Sequence, residues 1–168
     1  GGIMGNLLAP LLSGGAVICA PKFEAALFCH WLATLKPTWY YVVPTIHKMV
    51  LLHCRQTGAP NHRLRFVRSA GANLSHADAM ELRATLGCAV YPSYGMTECM
   101  PIALPPIGYN LERPGTVGRP SAPDVMIAGD DGRALPYGQT GEICVKGPVV
   151  ISGYRGTTAV DEETADFF

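Results

Sequence analysis

A hydroxyl and a carboxylate stand side by side at Thr97 and Glu98, closing the stretch Ser93-Tyr94-Gly95-Met96-Thr97-Glu98. The β-prone run Cys88-Ala89-Val90-Tyr91 leads into it, and the proline-broken segment Pro101 to Pro106 follows. Together these describe a strand ending in a tight turn, where Gly95 lets the backbone come close to a ligand. In an open α/β sheet, ligands bind beyond the carboxyl ends of the strands. Backbone N–H groups and a hydroxyl can hold phosphate oxygens there, and a hard carboxylate can hold Mg²⁺. The same residues also fit an ordinary strand-to-loop turn with a surface glutamate. The rest of the chain weighs between the two.

The elements that would position this stretch read as alternating helix and strand. Residues 4 to 12 form a short apolar helix stopped by Ser13-Gly14-Gly15, and Ala16-Val17-Ile18-Cys19 is a compact strand ended by Pro21. Phe23 to Lys36 is helical, with Phe23, Leu27 and Trp31 repeating every four residues, a wide apolar face suited to packing on a sheet. Trp39 to Val43 is a strand. Thr45 to Gln56 is a helix with Ile46, Met49, Val50 and Leu52 apolar, and Leu64 to Val67 is the next strand. A small-residue loop, Ser69 to Asn73, leads to a helix capped by Ser75, with Asp78 answering it and Gly87 at its end. Its stripe is Ala79, Leu82 and Leu86. This alternation implies an α/β fold, a parallel sheet with flanking helices and right-handed crossovers.

Beyond Pro106 the texture changes. Val125 to Ala128 and Glu142 to Val145 are short β runs separated by turns such as Asp130-Asp131-Gly132 and Pro136-Tyr137-Gly138. The expected organisation is an α/β nucleotide- and acyl-binding subdomain over residues 1–106, followed by a small β-rich, barrel-like subdomain over 107–168.

Composition narrows the function classes. The chain has 168 residues, 48% hydrophobic and 15% charged, which is enough to bury a core and speaks against disorder. Thirteen basic residues balance thirteen acidic ones, so charge gives no argument for nucleic acid or an anionic membrane. The first twenty-one residues carry no charge, but Asn6, Pro10 and Gly14-Gly15 interrupt them; a buried helix and a strand fit better than a membrane span. The six cysteines are scattered, and most lie in apolar runs, which implies an intracellular, reducing compartment. Cys29-His30 and His53-Cys54 lack the spacing of a zinc site. The chain opens on Gly-Gly and stops at Phe167-Phe168, just after an acidic stretch resembling the start of another element, and so reads as a piece of a longer protein.

The order of the signals carries more than any one of them. Thr38 to Ile46 comes first, then Arg68-Ser69-Ala70-Gly71-Ala72-Asn73-Leu74, then Tyr94-Gly95-Met96-Thr97-Glu98. Gly115-Thr116-Val117-Gly118-Arg119-Pro120 follows, and Gly141 to Pro148 leads into Gly153-Tyr154. In this order the chain resembles the middle of the adenylate-forming superfamily, which includes acyl-CoA synthetases, luciferases and peptide-synthetase adenylation domains. The resemblance implies a parent enzyme that activates a carboxylic acid with ATP and Mg²⁺, releases pyrophosphate, and passes the acyl group to a thiol. That thiol would be CoA or the phosphopantetheine of an acyl or peptidyl carrier domain. It implies that Gly71, Ala72 and Asn73 lie against adenine and that Thr97 contacts the α-phosphate. Glu98 would hold Mg²⁺, and Ser93, Tyr94, Gly95 and Met96 would line the site, with Tyr94 and Gly95 between nucleotide and acyl group. His47 would face the acyl pocket or lie on the polar face of its helix. Gly115 to Pro120 and Gly141 to Pro148 would be structural.

The family's glycine-rich phosphate loop would precede residue 1; its Thr-Gly-Asp motif, hinge and catalytic-lysine domain would follow Phe168. The parent is then an enzyme, cytoplasmic or peroxisomal, and these 168 residues alone should not turn over. Trp39 to His47 and Arg68 to Leu74 are most similar to the oxalate-type acyl-CoA ligases. Those carry small hydroxyl residues where this chain has Ala70, Gly71 and Asn73, which argues against oxalate. A reading from another class is a non-catalytic, truncated nucleotide-binding or interaction module.

Overall fold

The computed structural model describes residues 2–121 and 123–154. π-Helical turns over Gly2–Leu8 run into α1 (Ala9–Leu12). Then come α2 (Ala25–Thr34), β1 (Trp39–Val42), α3 (Pro44–Thr57), β2 (Phe66–Ser69), α4 (His76–Leu86) and β3 (Ala89–Pro92). β4 (Tyr94–Met96) and β5 (Cys99–Leu104) follow, then β6 (Arg119–Pro120), β7 (Asp124–Ala128) and β8 (Glu142–Lys146).

β1, β2 and β3 form a parallel sheet in chain order, with Tyr41, Arg68 and Tyr91 level across it. Successive right-handed crossovers between sequential strands put their helices on the same face. Period-2 alternation then divides the side chains. Tyr40, Val67 and Val90 point into the main core with Leu32, Leu51, Leu82 and Leu86 from α2, α3 and α4. The opposite face carries Trp39, Phe66 and Tyr91 in contact, with ring centroids 5.6 Å apart in each pair, and these stay half-buried.

α4 begins and ends where its sequence says it should. The Ser75 hydroxyl accepts from the Asp78 N–H at 3.1 Å and donates to the Asp78 carboxylate at 2.7 Å. Gly87 ends the helix in the left-handed region, φ 59°. Arg55 on α3 donates to both carboxylate oxygens of Glu81 on α4, at 2.8 and 2.7 Å. We expect Ser75→Ala to cost about 1 kcal/mol in denaturant unfolding by orphaning that N–H. An unchanged midpoint would show the cap to be idle.

Three sequence expectations fail here. Ala16–Cys19 forms no strand: its residues favour β structure, but no described strand pairs with it. The helical turns before it are exposed, Ile3 at 70% and Leu12 at 85%, where a buried helix was expected. The parallel pairing ends with β3 at Pro92, well before Pro105-Pro106. Met96 pairs with Cys99, so Thr97 and Glu98 make a two-residue tip that sends the chain straight back in an antiparallel hairpin. So short a link excludes a parallel crossover.

β5 also pairs with β6, and β7 pairs with β8 around the Asp130-Asp131-Gly132 turn. A second, smaller core joins these sheets through Cys99, Ile102 and Val145. Gly141 is required there, since a Cβ on it would sit 2.2 Å from the Ala128 carbonyl oxygen. The acidic stretch expected to open a further element lies outside the described residues.

Candidate functional site

The carboxyl ends of β2 and β3 and the hairpin β4–β5 meet at Ser93. Its N–H and its hydroxyl both donate to the Ser69 carbonyl, at 2.8 and 2.9 Å, fastening the root of the hairpin to the end of β2. A cleft opens on each side of it.

The first cleft, about 400 Å³ with open solvent included, is lined by Ala72, Asn73, Ser93, Tyr109, Arg113 and Thr116 among others. Gly71 turns the loop at φ 84°, and a Cβ on it would stand 3.2 Å from Val43 Cγ1. Gly71, Ala72 and Asn73 are all exposed, so a flat ligand can reach their backbone. The far wall is held by Leu111, buried in the main core, and by Arg83, which donates to the Asn110 carbonyl at 2.8 Å. Tyr109 donates to the Arg113 carbonyl at 2.8 Å, and the Thr116 hydroxyl accepts from the Gly118 N–H at 3.2 Å.

The second cleft, about 710 Å³ on the same measure, lies between the N-terminal helical turns, the sheet and the hairpin. Tyr94 and Gly95 line it with Tyr41, Arg68, Met100 and Leu104. A Cβ on Gly95 would stand 3.4 Å from the Cys99 carbonyl oxygen, an ordinary contact across the hairpin.

Thr97 and Glu98 occupy the hairpin tip and line neither cleft. Neither side chain has a hydrogen-bond or ion-pair partner among the described residues, and Thr97 is exposed. Groups left unpaired at a turn are available to a ligand. A lone carboxylate suits Mg²⁺ completed by phosphate oxygens and water, and no cluster of three metal-binding side chains occurs among the described residues. Met96 points elsewhere, packing on the Cys99–Ile102–Val145 core.

The structure thus brings Ala72, Asn73 and Ser93 to one cleft and Ser93, Tyr94 and Gly95 to the other. Sequence reasoning missed Tyr109, Arg113 and Thr116 on the first wall and Arg68 on the second. Thr116 lay inside a motif read as structural. Arg68 adjoined the Ser69–Asn73 loop, which was the only hint available.

His47 lines neither cleft and does not lie on a polar helix face. α3 buries His47, Val50, Leu51 and Cys54, a regular i, i+3, i+4, i+7 stripe, while Met49 and Leu52 are exposed. His47 Nδ1 is 3.4 Å from Tyr40 Oη. Burial pushes its pKa from 6.5 down to about 4, opposed more weakly by the Arg68 backbone. The folded chain therefore holds the ring neutral. The stability gained is fully present above about pH 6.5 and is lost as pH falls toward 4. Between pH 7 and pH 5, we expect the wild-type chain to lose about 2 kcal/mol more stability than His47→Gln. Parallel losses in denaturant titrations would place the charge elsewhere.

Strand–helix alternation running into a glycine-containing hairpin, with a cleft on each side of its root, defines an α/β domain with an open parallel sheet. The model of the AMP-binding enzyme family matches residues 1–155, and this chain belongs to the AMP-binding enzymes. It is 37% identical to a sulfoacetate–CoA ligase of Cupriavidus necator, over 96% of this chain and 32% of that protein. It is 31% identical to an oxalate–CoA ligase of Arabidopsis thaliana, over 99% of this chain and 33% of that one. The crystal structure of ATP-bound MatB from Rhodopseudomonas palustris superposes with a TM-score of 0.80 at 28% identity, covering 96% of this chain and 32% of that one. The chain therefore spans about a third of the length of the curated relatives it matches.

Proposed function

We propose that this chain is the central part of an ATP-dependent ligase that joins a carboxylic acid to AMP with release of pyrophosphate. The acyl group then passes to the thiol of CoA or of a carrier-bound pantetheine. The observation that carries this reading is the family match, joined by the unpaired Thr97 and Glu98 on the tip of the hairpin whose root, Ser93, borders both clefts. Gly71, Ala72 and Asn73 present exposed backbone to the base, and the Thr97 hydroxyl donates to the α-phosphate. Tyr94 and Gly95 separate the nucleotide from the acid. Mg²⁺, when bound, offsets charge on the departing pyrophosphate, and Glu98 supplies its carboxylate ligand.

All six cysteines are free, and burial pushes Cys29 up to about 12 and Cys88 up to about 11, which keeps these thiols protonated and inert. This supports a reducing compartment, cytoplasmic or peroxisomal. No helix among the described residues is long and apolar enough to cross a membrane.

The test is acid-dependent ATP–pyrophosphate exchange by the full-length protein over a panel of carboxylic acids. Exchange with at least one acid is expected, and none from the isolated 168-residue chain. ATP binding without exchange on any acid would replace the ligase by a non-catalytic nucleotide-binding module.

A further inference from the structure

The second cleft holds a charge that the chemistry proposed above leaves unused. Arg68 lines it, and no aspartate or glutamate does. The residue sits on β2 level with Tyr41 of β1, and its guanidinium carbon lies 5.6 Å from the Tyr41 ring centroid. Stacking on a ring holds the plane of a guanidinium but leaves its N–H donors unspent. None of the ion pairs among the described residues includes Arg68, and its side chain donates no hydrogen bond there.

The walls around it are largely apolar, with Met4, Met100, Pro101 and Leu104. Such walls weaken screening, so a cation among them gains more from an anion than one in open water does. The planar fork of arginine also matches a carboxylate or sulfonate through two parallel hydrogen bonds.

The placement tells which anion this is. Tyr94 and Gly95 form the hairpin wall of the cleft and lead to the tip bearing Thr97 and Glu98, whereas Arg68 and Tyr41 form its sheet wall. An acid whose reacting carboxylate meets the nucleotide on the hairpin side extends its other end across to the sheet. We infer that the acid taken by this site carries a second anionic group, a carboxylate or sulfonate, and that Arg68 selects it. This rests on the ligase reading and narrows it to a substrate class.

The experiment uses the full-length ligase and acid pairs of matched length, a dicarboxylic acid against its monomethyl ester: malonate, succinate and glutarate. ATP–pyrophosphate exchange gives kcat and KM for each. The wild-type enzyme is expected to favour at least one diacid over its half-ester by tenfold or more in kcat/KM. Arg68→Leu should bring that ratio to within about threefold, chiefly by raising KM for the diacid, and Arg68→Lys should fall between. Thermal melts of each variant report on folding, and Arg68→Lys keeps the test open should the leucine variant melt early. The inference is overturned if the wild type prefers every half-ester, or if the ratio survives in folded Arg68→Leu. It also falls if Arg68→Leu lowers both members of a pair alike, which would put the arginine on the reacting carboxylate. Exchange with a monoacid of the wider panel but with none of these acids overturns this inference and leaves the ligase reading standing, whereas exchange with no acid at all overturns both.

Discussion

On the proposed ligase chemistry, Glu98→Gln in the full-length protein is expected to lower kcat for adenylate formation by about 100-fold or more, with a smaller change in KM for ATP. The substitution keeps the length and shape of the side chain and removes its charge. Adenylation moves negative charge onto the departing pyrophosphate, so a carboxylate serving that charge separation matters more in the transition state than in the ground state. Glu98 makes no ion pair or side-chain hydrogen bond among the described residues, so the change breaks no internal contact. Thr97→Val removes only a hydroxyl from an exposed position and should slow the same step less. Asp130→Asn, exposed on the turn after β7, is the control and should be near neutral. Single-turnover rates of acyl-adenylate formation check all three. Wild-type rates from Glu98→Gln would reduce the hairpin tip to a turn.

Gly118→Ala should destabilise the chain by about 3 kcal/mol or more, since two separate penalties fall on one methyl group. Gly118 has φ 98°, which L residues rarely adopt. The added Cβ would also lie 2.1 Å from the Leu104 carbonyl carbon and oxygen and 2.2 Å from the Pro105 nitrogen. Backbone atoms inside a paired strand cannot step aside as a side-chain tip can. Relief would require parting β6 from β5, where Arg119 and Pro120 pair with Leu104 and Ala103. The loop holding Arg113 and Thr116 on the first cleft ends at this glycine, so weaker nucleotide binding should accompany the loss. Gly132→Ala separates the two penalties: Gly132 has φ 73° but nothing within 4 Å of its would-be Cβ, and should cost only about 1 kcal/mol. Equal denaturation midpoints for the two variants would show that the close approach at Gly118 is easily relieved.

Much of the parallel half was legible because its signals are local. Ser75, Asp78 and Gly87 bound α4 through contacts spanning a few residues, and Ala79, Leu82 and Leu86 mark its buried stripe. The ordered motifs from Thr38 to Tyr154 pointed to the family, and the family match bears that out. The loop at Gly71, Ala72 and Asn73 and the turn bearing Thr97 and Glu98 were legible as loop and turn, while the roles expected of these residues rest on the family resemblance.

Tertiary structure decided what depends on residues far apart in the chain. Ala16–Cys19 has strand propensity, but a strand exists only when another pairs with it. His47 looked polar by type, yet α3 turned it inward against Tyr40 because Val50, Leu51 and Cys54 share its face. The sequence showed a tight turn in this stretch, but that Thr97 and Glu98 are the tip of an antiparallel hairpin became visible only through pairing between β4 and β5. The clefts are assembled from β2, the hairpin and the 109–117 loop, whose members meet only after the sheet has formed. A sequence gives each residue's chemistry and its local geometry. Which residues share a wall is fixed by packing, which is why Arg68 stood in the sequence only as the head of a motif and became a candidate for substrate recognition in the fold.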